Sequence, residues 1–250
     1  METAIIGLAR SGRTTIFNAL TGQDNPTGDA AAGRRQALLA DVKVPDQRLD
    51  RLAALYSPRK LTHASMRFRD PALEHADNGA ITPAGLAEAR SADAVAIVIR
   101  AFQDESVLPA RKDATPLGDL RAVLDSLVFA DYEVAEKRIA RLDKEAKRDT
   151  REYHVLKQAV EILGAGKPLG RGFFAAEDAK LFAGFAFLTS RPLFAVVNTG
   201  ESTTPHDDLL AEARTLGIDA FPIRGDMEAE ISRLAPADQQ EFLKDLGIEE

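Results

Sequence analysis

The residues best suited to chemistry form one run near the N-terminus, Gly7-Leu8-Ala9-Arg10-Ser11-Gly12-Arg13-Thr14-Thr15. The run fits the spacing G-x-x-x-x-G-K-[ST] at every fixed position but one, where Arg13 stands in place of lysine. Glycines in such a turn let backbone N–H groups wrap an anion, and the helix that follows turns its positive dipole end toward it. Gly7, Ala9, Arg10, Ser11, Gly12, Arg13, Thr14 and Thr15 are therefore the expected phosphate-binding residues, with the Thr14 hydroxyl offered to a divalent metal. A lysine ammonium acts on phosphates as a compact point charge, whereas a guanidinium is planar and prefers bidentate contacts. Phosphate binding survives that exchange more readily than catalytic placement does. Another phosphorylated metabolite is also compatible with an arginine here.

Other chemistries find little support. There is no cysteine, so a thiol nucleophile, a thiolate metal site and a disulfide framework are all excluded. His63, His154 and His206 are scattered without ligand spacing, and no G-x-S-x-G elbow is present. Glu74 and His75 are of a type to orient or deprotonate a water, but solvated loop positions are their plainer reading.

The elements that must position the phosphate turn read as an alternation of strands and helices, the pattern of a mostly parallel sheet with helices on both faces. Strands are expected at 3–6, 38–44, 64–68, 94–99, 193–197 and 218–222, and helices at 14–20, 46–56 and 206–216. The turn lies between the first strand and the first helix. One long interruption runs from about Pro116 to Gly172. Apolar or small residues recur there from Leu117 to Ala146 at three-and-four spacing, broken only by Asp131. A second helix over 151–163 ends at Gly164-Ala165-Gly166 with Pro168 beyond, which together predicts an antiparallel, coiled-coil-like hairpin.

The stretch GLARSGRTTIFNALTG resembles the start of the Obg-like ATPases of the YchF type. Further similar segments follow in order: VPDQRLDRLAALYSPRK (44–60), ADAVAIVIRAF (92–102), the helix at 119–148, FLTSRPLFAVVNTGE (187–201) and IRGDMEAEISRLAPADQQEFLKDLGIEE (223–250). The resemblance implies a P-loop G domain over 1–115 and 173–250, a helical hairpin inserted at 116–172, and Mg²⁺ with ATP or GTP. It implies Asn198 and Glu201 as base-binding residues in an N-x-x-E variant, and Thr14 and Asp70 as metal ligands. It also implies a further TGS domain beyond the last residues, so the chain is expected to lack one.

Three departures from that family fall where hydrolysis is organised. Arg34 occupies the position of a switch threonine, which Thr27 could replace only through a shifted loop. Asp70-Pro71-Ala72-Leu73 keeps the carboxylate of D-x-x-G but loses its glycine, and the following switch is shortened to 74–79. Weak or lost hydrolysis is the expectation, with a pseudo-NTPase binding module that acts through its helical arm on a ribosome, RNA or protein partner as the alternative.

Composition adds limits. At 250 residues and 45% hydrophobic, the chain can bury a substantial core. A net charge of −7 argues against coating nucleic acid with the whole surface, yet 137–171 carries ten basic against five acidic residues. That basic end of the hairpin is the expected contact for a ribosome, RNA or protein partner. No run approaches the ~18 apolar residues of a membrane span, and no signal-peptide pattern opens the chain. A cytoplasmic protein is expected.

Overall fold

The computed structural model describes residues 1–28, 36–104, 109, 114–201 and 206–245. Its elements, in chain order, are β1 (Glu2–Ile6), α1 (Arg13–Thr21), β2 (Leu38–Lys43), α2 (Gln47–Tyr56), β3 (Ser65–Asp70), β4 (Ala94–Arg100), α3 (Pro116–Lys144), α4 (Arg151–Gly164), the short α5 (Ala179–Phe182), β5 (Leu193–Asn198), α6 (Asp207–Thr215), β6 (Asp219–Ile223), α7 (Gly225–Arg233) and α8 (Pro236–Asp245). The expected strands and helices are all present, with ends that differ by one or two residues.

The strands form one sheet in the order β2-β3-β1-β4-β5-β6. Pairings are parallel from β3 through β6, and β2 runs antiparallel to β3 at the edge. The strand-helix alternation holds at this edge, which is the antiparallel part of the mostly parallel sheet expected from the sequence. The reason for the antiparallel pairing lies in α2, whose leucines recur at helical spacing but bury no residue; Leu55 and Tyr56 are more than 70% exposed. A helix that does not pack on the sheet provides no crossover, so β2 and β3 pair as the arms of a wide hairpin.

The central strands are apolar throughout because both faces are covered. Ala4, Ile6, Val95, Ile97, Ile99, Ala195 and Val197 pack against α3 and α6, while Ile5, Ala96, Val98 and Val196 face the other way onto Ile16 and Phe17 of α1. The parallel pairing places the C-terminal ends of β1, β3, β4 and β5 side by side at one edge of the core, where parallel sheets carry their ligands.

α3 begins on Thr115, whose hydroxyl accepts from the Gly118 N–H at 3.1 Å, with Pro116 in the first turn. Its outer half packs on α4 and on Phe182, Phe187, Phe173, Phe174 and Phe185 in a second apolar cluster. Asp131, the one break in the α3 seam, is fully buried. Its carboxylate accepts from the backbone N–H groups of Leu188 (3.0 Å) and Thr189 (2.8 Å), from the Thr189 hydroxyl (2.8 Å) and from Arg90 (2.9 Å). The polar residue thus anchors the chain entering β5 to the middle of the long helix.

Candidate functional site

The turn from Gly7 to Gly12 joins the buried end of β1 to α1. Gly7 lies so close to β4 that a Cβ there would come within 2.5 Å of the Val98 carbonyl oxygen. Gly12 opens α1 with φ 89°, a left-handed conformation that favours glycine, and no side chain caps the helix and no acidic residue occupies its first turn. The first turn of a helix leaves its N–H groups without intrahelical acceptors, so the helix end is suited to an anion. Arg10 is also left-handed at φ 63°, and its carbonyl accepts from Arg100 Nη1 at 3.1 Å. Ser11 is buried, and its Oγ has no hydrogen-bond partner among the described residues.

Arg13 and Thr14 converge on Asp70 at the end of β3. Arg13 Nη1 donates to Asp70 Oδ1 at 2.7 Å and to the Pro71 carbonyl at 3.0 Å, while the Thr14 hydroxyl donates to Asp70 Oδ2 at 2.8 Å. Asp70 is fully buried. The residues expected around phosphate and metal are therefore brought together, with both carboxylate oxygens already engaged. The resemblance drawn from the sequence implies Mg²⁺ at Thr14 and Asp70. Here the donors it would take are a hydroxyl and a carboxylate bonded to each other, with a fixed cation beside them. As folded, this set does not fit a divalent ion.

His75 stands beside the loop, its Nε2 3.3 Å from the Gly7 carbonyl oxygen. Burial pushes its pKa below the ordinary imidazole value; the Gly7 carbonyl partly opposes this, and the Arg13 charge adds to it. Glu74 turns elsewhere, to the Thr82 hydroxyl. Leu73, at the position of the D-x-x-G glycine, packs against the main core. Thr27 is exposed, and the segment before it is tied at Asn25 to Asn18 on α1; Arg34 lies outside the described residues.

Asn198 and Glu201 take different places. Asn198 is buried behind the phosphate loop: its Oδ1 accepts from the Gly225 N–H at 3.1 Å and its Nδ2 donates to the Ser11 carbonyl at a long 3.5 Å. Glu201 is exposed and lines a cleft of about 1040 Å³ together with Arg100, Phe102, Thr199, Asp226 and Met227. Arg100 and Phe102 were not singled out by the sequence reading. The Arg100 guanidinium lies 4.0 Å over the Phe102 ring, which itself sits against Gly12 and Gly200. The signal for Arg100 was a charged residue closing the apolar run AVAIVIR, since a buried charge requires a partner.

This mostly parallel sheet, with the loop at the end of β1, matches the fold of a P-loop nucleoside triphosphatase G domain. Over its whole length the chain is similar to YchF-type proteins. It is 29% identical over 264 residues to the ribosome-binding ATPase YchF of Bacillus subtilis and 29% identical over 260 residues to that of Haemophilus ducreyi. In each case 100% of this chain matches 72% of the relative. The solved structure of the Schizosaccharomyces pombe YchF GTPase superposes with a TM-score of 0.79 at 24% identity, covering 100% of this chain and 72% of that one, and supports the fold. No protein-family profile matches the chain.

Proposed function

We propose that this chain is a P-loop nucleotide-binding protein related to the YchF ATPases, taking the phosphates of ATP or GTP over the turn from Gly7 to Thr15. One observation carries the reading. Gly12 opens an uncapped helix directly after a buried central strand, with Arg13 and Thr14 at its mouth. The full-length similarity to ribosome-binding ATPases supports it. Asn198 serves the base side by holding the loop in place, and Glu201, lining the cleft beside Phe102, reads the base edge.

Hydrolysis is weak or lost. Leu73 is committed to the core where a backbone N–H would meet the third phosphate, and Arg13 is committed to Asp70. The nucleotide-binding part comprises 1–115 and 173–250, and 116–172 is a coiled-coil-like helical insert. The protein works in the cytoplasm and touches the ribosome through the hairpin tip. Much of the tip's basic excess is paired within it, Lys147 and Arg141 with Glu145 and Arg148 with Asp143, so Lys144 is the tip cation most open to a partner.

Titration calorimetry with non-hydrolysable ATP and GTP analogues tests the reading. Saturable binding of either one is expected; a folded sample that takes neither would rule out nucleotide binding. Charge reversal at Lys144, Lys147 and Arg148 is expected to abolish co-sedimentation with ribosomes, and unchanged co-sedimentation would remove the tip from the contact.

A further inference from the structure

The positions of Arg13, Thr14 and Asp70 bear on the form in which a nucleotide is taken. Arg13 Nη1 lies 2.7 Å from one oxygen of Asp70, and the Thr14 hydroxyl lies 2.8 Å from the other. These are the two side chains that would hold a divalent cation, and a permanent cation already stands against the acidic one. Asp70 is fully buried and Arg13 is largely so, with 15% of its side chain exposed, so water screens the pair only weakly. The Arg13 stem folds back across the loop, because a Cβ on Gly7 would come within 3.3 Å of its Cγ. The Pro71 carbonyl fixes the same Nη1 at 3.0 Å. The guanidinium is thus held from two sides at the mouth of the phosphate turn.

We infer that Arg13 takes the place of the divalent metal, so that the loop binds nucleotide in its metal-free form. This rests on the nucleotide reading above and sharpens it. Magnesium demands near-octahedral oxygen ligands and gives up its water reluctantly. Seating it at Thr14 and Asp70 would break two hydrogen bonds and bring a double positive charge beside a fixed single one. A guanidinium requires neither change. It stays protonated at any working pH and makes strong charge-assisted hydrogen bonds to phosphate oxygens. A phosphate arriving without its metal meets one compensating cation. A phosphate that brings a metal meets repulsion from Arg13.

The test is calorimetric titration of the full chain with a non-hydrolysable ATP analogue, once in excess Mg²⁺ and once in excess EDTA. Affinity in EDTA is expected to equal or exceed that in Mg²⁺, within about threefold if equal. The Arg13→Lys variant, which replaces the planar fork with a point charge, is expected to bind at least about tenfold more tightly in Mg²⁺ than in EDTA. Wild-type binding that needs Mg²⁺ overturns the inference and leaves the nucleotide reading standing. A lysine variant as indifferent to metal as the wild type overturns the role given to Arg13. No heat in either buffer from a folded sample overturns the nucleotide reading and this inference with it. The wild-type comparison needs no variant to fold.

Discussion

Asn198 at the end of β5 accepts a hydrogen bond from the Gly225 N–H at 3.1 Å, and through Nδ2 it donates to the carbonyl of Ser11, 187 residues away in the chain. One buried side chain thereby joins the phosphate turn to the start of α7. The Asn198→Ala change leaves a buried donor and a buried acceptor unpaired, which costs about 1–3 kcal/mol in denaturant unfolding. Glu201→Ala, at an exposed position, is expected to change stability by less than about 0.5 kcal/mol. It should instead alter the ratio of ATP to GTP affinity. If Glu201→Ala leaves that ratio unchanged, the carboxylate does not read the base.

Gly12→Ala tests the loop by shape. The added methyl would lie 2.3 Å from Asn198 Nδ2, at a φ of 89° that an L side chain adopts only under strain. A loss of about 1–3 kcal/mol of stability is expected, with nucleotide affinity falling at least about tenfold. Retention of wild-type affinity in calorimetry would mean that the turn does not carry the phosphates.

Replacing Asp131 with asparagine keeps the shape of the side chain and removes its charge. One of its oxygens becomes an N–H₂ group facing either the Leu188 N–H and Arg90 or the Thr189 N–H and hydroxyl, and Arg90 loses its counter-charge. Breaking a buried pair in this way costs about 3–5 kcal/mol. Urea unfolding midpoints measure it, and a shift worth less than about 1 kcal/mol would show that this carboxylate is not what holds β5 to α3.

His75 makes stability depend on pH. Its folded pKa is held below the unfolded value of 6.5, so the unfolded chain binds more protons in the interval between the two. The contribution is fully present above 6.5 and is lost as pH falls through the folded value. Urea unfolding of the wild type and of His75→Gln at about pH 7.5 and about pH 5.5 measures the difference. The wild type should lose more stability than the variant on acidification. Equal losses would place the titration elsewhere.

Much of this protein is legible along the chain. Local patterns specify the strands and helices, because a short unbroken apolar run at β4 marks a strand buried on both faces and three-and-four spacing along α3 follows the helical period. The phosphate turn is equally visible, since Gly12 meets a need that arises within the turn itself, a left-handed helix entry, and Gly7 stands at the fixed spacing before it, whereas its close approach to Val98 of β4 is tertiary. At α2 the leucine spacing gives the helix correctly, yet none of its residues is buried. A pattern records which face is apolar and says nothing of whether another element covers it.

The sequence by itself determined the element order, the phosphate turn and the departures from lysine at Arg13 and from glycine at Leu73. Only the tertiary structure decided what those departures do. Arg13 and Asp70 are 57 residues apart and meet because β1 and β3 pair in parallel, so that their C-terminal ends share one edge of the sheet. The same convergence sets Asn198 behind Ser11, while before the other end of β5 Asp131, which reads as a flaw in a helical seam, meets the amides of Leu188 and Thr189. Hydrogen bonds and ion pairs act over a few ångströms, and only the packed sheet brings such distant positions that close.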